Sequence, residues 1–600
     1  GTTDAGTTDA GQEDSTQPPD TQTSIDAGAP GDSGSVGDAP SSQDISPACV
    51  PTQPPADICD GVDNDCTGGV DTLPCASKAC FTVSCEGVKG CVYKPISGGS
   101  CQDGNPCTTA DSCKKGICSG KPKSCDDGNG CTADSCATGT GVCTHIANTS
   151  TCSDGNPCTI GDACKKKTCQ AGAAKKCSDG NACDGIETCN PSTGKCSQPA
   201  APKCPWAPGE CNQSGGSVNA TMHKLTVAPA TGFRMTDQGT WSKNAALIAK
   251  IGAHSSASVV SLSTVLSALN RQGVKLNSVP QVKCLHRGFS WNSGDSAVGY
   301  WYPQGITGSW DAYGGGTYSG KKVLMASWYH KPDKDSSTST NKGGRLSIAD
   351  VTNTGGPKYR NVLLVEPYTD SSGKPNFKPI VFHAGGAVWF GNYLYLPHTT
   401  KGLRVFDISK FIKVKTGDKN AIGWSSKANA YMGYNYGFVL PQVGYYSLCK
   451  TCCVRLSFVG LDRTTKPPRL VTGEYAKSDY RGRLHGWALD AKTFRLKTVE
   501  NLVQGQFAFF PGVRRMQGAL TIGGEVWISS SDKYPGTLTV ASLYRYAGVG
   551  APLLIRRLPR VPEDVSYHKQ EAALWTLTED PKKRWVWSMP ETKLTSSACK

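Results

Sequence analysis

The sequence predicts a mainly β protein in three parts: a disordered acidic N-terminal stalk, a disulfide-stapled cysteine-rich rod, and a C-terminal β-propeller of about five blades with a helical insertion. Three observations predict it. Residues 1–48 carry eight Asp and one Glu but no Lys, Arg or aromatic residue; 25 of the 30 cysteines fall between Cys49 and Cys211; and short strand-like runs separated by glycine turns recur beyond residue 300.

Residues 383–412 show the propeller signal most clearly. Gly385 and Gly386 lead into Val388 and Phe390, the Gly391-Asn392 turn leads into Tyr393 to Leu396, and Lys401-Gly402 leads into Leu403 to Ile408. Aromatic and β-branched residues favour extended backbone, and Gly-Asn supplies the positive φ of a tight hairpin. Residues 516–543 echo this layout, with Trp527 where the first run has Tyr395; 562–589 and 303–351 echo it too, and 436–475 does so more poorly. The irregular period predicts a divergent propeller with long insertions. Ahead of it, Leu247, Ile248, Ile251, Val259, Leu262, Val265, Leu266 and Leu269 fall at helical spacing, interrupted at Gly252 and ended by Gly273. This predicts one or two amphipathic helices capping the propeller.

Six hundred residues exceed one core, and the boundaries read as 1–48, 49–77, 78–211 and 212–600. Thirty cysteines against six methionines point to a compartment where disulfides persist, outside the cytosol. The start at Gly1 leads us to expect a removed targeting segment. In the stalk, Asp14, Asp20, Asp26, Asp32, Asp38 and Asp44 recur every sixth residue, so like charges keep it extended. The nine acids here leave 63 basic against 40 acidic side chains in residues 49–600, a net +23. A basic body suits an anionic surface such as an extracellular polysaccharide, while no nucleic-acid-binding motif is present. A monomer is expected.

Between 101 and 196 four repeats align, Cys101–Cys107–Cys113–Cys118 and those beginning at Cys125, Cys152 and Cys177, each opening Cys-x-Asp-Gly-Asn-x-Cys. Cys80, Cys85 and Cys91 read as the remains of an earlier one. Four cysteines per repeat predict two bridges inside each, in an order the spacing leaves open. The body holds five further cysteines (Cys284, Cys449, Cys452, Cys453 and Cys599), so both counts are odd; if all pair, at least one bridge joins rod to body, with Cys204 or Cys211 as donor. The run CKTCC at 449–453 reads as a disulfide cluster rather than a zinc or redox site, because no His or second Cys pair completes a set nearby.

In ICDGVDNDCTGGVDTLPC, residues 58–75, Asp63, Asp65, Thr67 and Asp71 take the spacing of a calcium loop, with Gly68 at its turn and Pro74 where the closing Glu belongs. Hard oxygen ligands so spaced wrap a cation, here weakly, and calcium is the expected ion. On the propeller, Gln304, His383, Gln442, Gln517 and Gln570 lie at equivalent offsets of the strand entries and are expected to converge on a central channel as ligand-binding groups. Glu563, Asp564, His398 and His485 are further candidates. Trp301, Tyr302, Trp310, Tyr313, Tyr434 and Tyr436 lie outside core alternation and are expected to offer stacking platforms for sugars. No Gly-x-Ser-x-Gly, His-Glu-x-x-His or phosphate loop occurs.

Five resemblances accompany these readings. The cysteine pattern resembles the slime-mould type cysteine repeat over about residues 78–198, implying an adhesive or spacer array. Residues 58–75 resemble the metal-binding motif of MopE-type bacterial surface proteins, with Thr67 in place of an Asp. The acidic start resembles the tether of a bacterial lipoprotein, implying a peripheral membrane attachment through a lipidated cysteine before Gly1. The body resembles five- or six-bladed secreted propellers, including lactonase-like and lyase-like families, which implies calcium near Glu571 or acid/base work by His383 with Glu571. Through YWYPQGITGSWDA and LWTLTED it also resembles secreted bacterial proteins of unassigned activity. The expected function is a surface binding or adhesion protein, with a polymer-cleaving hydrolase or lyase as the second reading.

Overall fold

The computed structural model describes Cys59, residues 75–178 and 187–197, and residues 222–599 apart from 229, 231, 450–453, 479, 538, 550–552 and 597–598. The stalk, the expected calcium ligands Asp63, Asp65, Thr67 and Asp71, Cys204, Cys211, Cys452 and Cys453 lie outside the described residues. The chain forms two compact units, residues 1–150 with 165–168, and residues 151–164 with 169–600. No helix among the described residues is long and apolar enough to cross a membrane.

In the first unit each cysteine repeat is built on a hairpin. Thr108–Lys114 pairs with Ile117–Pro122 so that Cys113 faces Cys118, and Thr132–Cys136 pairs with Cys143–Ala147 so that Cys136 faces Cys143. The facing cysteines bond elsewhere. The fourth cysteine closes onto the first of its own repeat, in Cys101–Cys118 and Cys125–Cys143, whereas the third reaches the second cysteine of the repeat before it, in Cys107–Cys136. Cys75–Cys91, Cys80–Cys113 and Cys59–Cys85 continue the rule backwards, so Cys75 completes a fifth repeat with Cys80, Cys85 and Cys91. In the second unit Cys152–Cys169, Cys177–Cys196 and Cys158–Cys189 obey it as well. The expectation of two bridges inside each repeat is therefore corrected to one inside and one across. The first and second cysteines flank the Asp-Gly-Asn turn, and the turn sends them to different partners.

That turn is held by its own side chains. Asp103 Oδ1 accepts from Asn105 N at 2.8 Å and Thr108 Oγ1 at 3.0 Å, and Asn105 Oδ1 accepts from Cys107 N at 3.0 Å. Asp127 and Asp154 make the same bonds to Asn129 and Thr132 and to Asn156 and Thr159. The repeated Asp and Asn thus build an Asx turn in a segment with little core to order it.

Residues 287–590 form a five-bladed propeller. Blade 1 is Trp301–Gly308, Val323–His330, Gly344–Asp350 and Lys358–Thr369; blade 2 is Val388–Phe390, Tyr393–His398, Gly402–Asp407 and Phe438–Leu448. Blade 3 is Phe458–Asp462, Arg469–Gly473, Leu484–Ala488 and Leu502–Phe510, and blade 4 runs Met516–Ile522, Glu525–Lys533, Ala541–Tyr546 and Leu553–Leu558. Blade 5 takes three strands from the chain's end, Pro562–His568, Ala573–Thr578 and Trp585–Pro590, and its fourth, Arg287–Ser290, from before blade 1. This exchange closes the ring, and Cys284–Cys599 fastens it across 315 residues. On the loop-entropy model such a bridge contributes about 6 kcal/mol.

Each blade buries a tryptophan against its neighbour: Trp328, Trp389, Trp487, Trp527 and Trp575 are at most 1% exposed. An aromatic ring of this size anchors the apolar layer between two twisted sheets. Trp301 and Trp310, expected as sugar platforms, are 3% and 0% exposed and belong to that layer, as does Tyr434. The poor echo at 436–475 straddles two blades, joining the last strand of blade 2 to the first strands of blade 3. The predicted helices are Trp241–Gly252 and Leu262–Ser267. They cover no face of the ring: Ile248 and Ile251 pack beside Tyr359, Leu363 and Val439, at the outer strands of blades 1 and 2.

The five inner strands converge so closely that glycine is required between them. A Cβ at Gly305 would lie 2.4 Å from Gly386 C, one at Gly386 2.4 Å from Val459 N, one at Gly460 1.9 Å from Ala519 O, and one at Gly518 2.7 Å from Asp564 Cα. Real Cβ atoms never approach so near, so any side chain here would push two blades apart. Asp564 completes the ring: its Oδ2 accepts from Ile306 N and Ala387 N, both at 3.0 Å. One carboxyl from blade 5 thereby ties blades 1 and 2 and plugs the axis.

Gly460→Ala should cost about 1–3 kcal/mol or more, read as a lowered midpoint in denaturant unfolding; wild-type stability would contradict the close packing. A non-reducing peptide map should recover Cys107 linked to Cys136 and Cys158 linked to Cys189, whereas recovery of only intra-repeat pairs would contradict the staggered pattern.

Candidate functional site

Because Asp564 closes the axis, the propeller has a cavity on either side of it rather than an open channel. On one side lies a cavity of about 450 Å³ to which all five blades contribute: Gln304 and Tyr329, His383 and Thr399, Ser457 and Tyr475, Gln517 and Ser531, Glu563 and Glu579. Strand alternation and direction explain the division, since Glu563 precedes Asp564 and lines this cavity, while Val565 and Ser566 follow it and line the other.

The floor is acidic. Gln517 Nε2 donates to Glu563 Oε1 at 3.3 Å, and Gln304 Nε2 donates to Glu579 Oε2 at 2.8 Å. Glu563 is 1% exposed, and burial first, then the neighbouring Glu579 and Asp564, holds its carboxyl well above the ordinary range. Burial also raises Glu579, against the opposing pull of Lys331. Asp564 is raised by burial as well, and its Oδ1 is buried without a hydrogen-bond partner. The axis thus gathers carboxyl groups whose affinity for protons burial raises above the ordinary value.

One wall is aromatic. The His383 ring stacks on Tyr329 at 4.3 Å and 25°, and Tyr329 packs on Tyr302 at 5.6 Å. His383 faces the concavity, exposed to it yet flanked by protein; desolvation, helped by Lys331, lowers its pKa to about 4, so the imidazole is neutral above pH 5. Arg455, Arg515 and Arg560 stand around the mouth. On the far side of Asp564 a cavity of about 620 Å³ is lined by Asp311, Arg463, Ser566 and Lys569. There Asp311 Oδ2 accepts from Thr307 Oγ1 at 2.9 Å and Ser566 Oγ at 2.6 Å, and burial raises its pKa.

Three of the five predicted convergent residues, Gln304, His383 and Gln517, share the first cavity. Gln442 does not, because it lies on the outermost strand of blade 2 and accepts from Arg404 Nη1 at 2.5 Å. Gln570 follows the far end of the inner strand Pro562–His568, where its Nε2 donates to Gly314 O at 2.6 Å. That strand spans roughly 20 Å, and the same length separates Glu571 from the mouth that holds His383. Glu571 instead receives Lys322 Nζ at 2.6 Å and Arg287 Nη1 at 2.8 Å. The expected acid/base pair His383–Glu571 is not assembled, and Glu571 Oε1 is held by two cations.

His398 Nδ1 accepts from Arg404 Nε at 3.2 Å, and His485 is fully buried against Thr472 and Phe233, so neither reaches the cavity. Sequence reasoning missed Tyr329, Glu579 and the three arginines. Glu579 stands in LWTLTED, but nothing in that stretch signals that the turn after it folds over the axis. In the first unit, Asp127, Asp134 and His145 have ligand atoms within 4.8 Å of one another, and His145 Nδ1 already bridges Asp134 at 2.9 Å and Asp127 at 3.4 Å.

Residues 100–122 and 124–147 match the Dictyostelium (slime mold) repeat family. No curated protein matches the chain. Among solved structures, the β-propeller domain of Myceliophteria thermophila Cps50 (Swd1) is similar at 11% identity and a TM-score of 0.24, covering 45% of this chain and 94% of that one. Kuenenia stuttgartiensis hydrazine synthase is similar at 9% identity and a TM-score of 0.20, covering 46% and 73%.

The raised carboxyls give stability an unusual sign. A group whose folded pKa lies above its unfolded value, 4.5 for Glu563, stabilises the fold fully below that value and loses the contribution as pH rises toward the folded pKa. Glu563→Gln keeps the acceptor for Gln517 and removes the titration. Its unfolding midpoint relative to wild type should therefore climb between pH 4 and pH 8, by roughly 2 °C for each kcal/mol released. A difference independent of pH would contradict burial of an ionisable Glu563.

Proposed function

We propose that this is an extracellular or surface binding protein whose propeller holds a saccharide segment in the axial cavity. The disulfide-rich repeats serve as its spacer. The observation that carries the reading is the cavity itself: five blades each contribute polar side chains around one concave, partly aromatic site. Gln304, Gln517, Ser457, Ser531 and Thr399 offer both donors and acceptors, which suits the hydroxyls of a sugar, and the Tyr329–His383 stack offers a flat apolar wall. The staggered disulfides fit an oxidising compartment. A lipid tether at the acidic end and calcium in residues 63–71 belong to the same picture of a surface protein.

A second reading is favoured by one observation. Glu563 and Glu579 share the cavity, burial and then Glu579 raise the affinity of Glu563 for protons, and each carboxyl is oriented by a glutamine. A protonated carboxyl beside a second carboxyl is the apparatus of glycoside hydrolysis, so the hydrolase alternative rests on this pair and no longer on His383 and Glu571.

Screening the full chain on a polysaccharide array should yield binding that Tyr329→Ala weakens about tenfold, the loss expected for one stacking wall. New reducing ends produced by wild type and absent with Glu563→Gln would favour the second reading. Absence of binding to every polysaccharide would remove both.

A further inference from the structure

A third cavity, of about 560 Å³, is lined in part by blade 1. The strand Trp301–Gly308 reaches both this outer cavity and the axial one: Tyr300 and Trp301 line the outer cavity, and Gln304, three residues on and roughly 10 Å along the strand, lines the axial one. Its character is different. Arg271, Lys342, Arg345, Arg360 and Lys419 line it against one acid, Asp295.

Asp295 is already spent. Arg345 Nη2 donates to its Oδ1 at 3.0 Å, Arg271 Nη1 lies 3.1 Å from Oδ2, and Tyr359 Oη donates to Oδ2 at 2.6 Å. Burial opposes its ionisation, yet Arg345 and Arg271 overrule that and hold its pKa below the ordinary value. Arg345 is 3% exposed, sandwiched between Trp301 and Trp328 at 4.6 and 4.4 Å, and its Nε–H has no acceptor. Lys342 is the other partly neutralised member, 3.3 Å from Asp335 Oδ2. Arg360 is packed on Phe438 and donates to Ala268 O, while Lys419 is exposed. Surplus positive charge therefore faces a concave space, an arrangement that lowers the free energy of any anion that enters.

At the axial cavity, on the strand that reaches both, lies an aromatic strip. Tyr302 and Tyr329 lie side by side, Tyr329 stacks on His383, and Lys331 Nζ sits 3.9 Å over the Tyr302 ring. We propose that the outer cavity is a subsite for the acidic group of an anionic polysaccharide, a uronate carboxylate or a sulfate ester, whose chain crosses this strip to the axial cavity. The inference rests on the saccharide reading of the axial cavity and adds that the polymer is charged. Two cavities about two sugar residues apart, one basic and one rich in neutral polar groups, fit a chain with an acid on some of its units.

The test measures binding of the full chain to polygalacturonate, dextran sulfate and neutral dextran, with wild type, Lys419→Glu and Lys427→Glu. Lys427 is an exposed lysine outside the cavity, so its variant carries the same change in net charge. The expected result is binding of one or both acidic polymers, about tenfold weaker with Lys419→Glu, unchanged with Lys427→Glu, and weakened by salt. Which acidic polymer binds tells carboxylate from sulfate. Equal losses in the two variants would reduce the effect to net charge and overturn the subsite. Neutral dextran binding as well as the acidic polymers would overturn it while leaving the axial reading intact, and binding of no polymer with an unaltered unfolding midpoint would overturn both.

Discussion

The structure depends on how little room five blades leave along their common axis. Gly305, Gly386, Gly460 and Gly518 are present because each touches the backbone of the next blade, where even a methyl group would collide. Asp564 supplies what glycine cannot, a pair of hydrogen bonds from one blade to two others. An isolated charge at such a site is costly, and burial accordingly raises the pKa of Asp564, against the pull of the backbone N–H groups that donate to it. The closed axis then separates the cavity lined by Glu563 from the one lined by Asp311.

Charge is sorted around that axis. Glu563, Glu579, Asp564 and Asp311 are withdrawn from water and raised in pKa, whereas arginines and lysines stand at the mouth and on the adjoining face. Removing acids from the surface by burial makes the exposed electrostatics more positive than composition alone implies. The face around the mouth thus combines hydroxyl-compatible groups, aromatic rings and surplus cations within a few strand residues.

Much of the propeller was legible because local chemistry repeats. Blades 1, 2, 4 and 5 carry Trp328, Tyr395, Trp527 and Trp575 on their second strands, and each announces itself by an aromatic after a turn. Blade 3 has Leu470 and Val471 at that place and its tryptophan, Trp487, on the third strand, which is why its echo was misplaced. The axial residues were legible only in part. Offsets along strands found Gln304, His383 and Gln517, but an offset does not say at which end of an inner strand a side chain emerges, and this misled for Gln570 and Glu571. Tyr329 and Glu579 come from segments that reach the axis through folding of distant chain, for which no local pattern exists. The helices at 241–267 were read correctly as amphipathic, but periodicity says that a face is buried and not against what.

The stagger of the disulfides has a mechanical consequence. The bridges Cys59–Cys85, Cys80–Cys113, Cys107–Cys136 and Cys125–Cys143 overlap end to end, and so do Cys152–Cys169, Cys158–Cys189 and Cys177–Cys196. Every peptide bond from Cys59 to Cys143, and from Cys152 to Cys196, is therefore bypassed by at least one sulfur link. A protease that nicks the backbone once within either stretch severs nothing, and both pieces stay on the same molecule. With each cysteine repeat closed only on itself, a single cut between repeats would have released whatever lay beyond it.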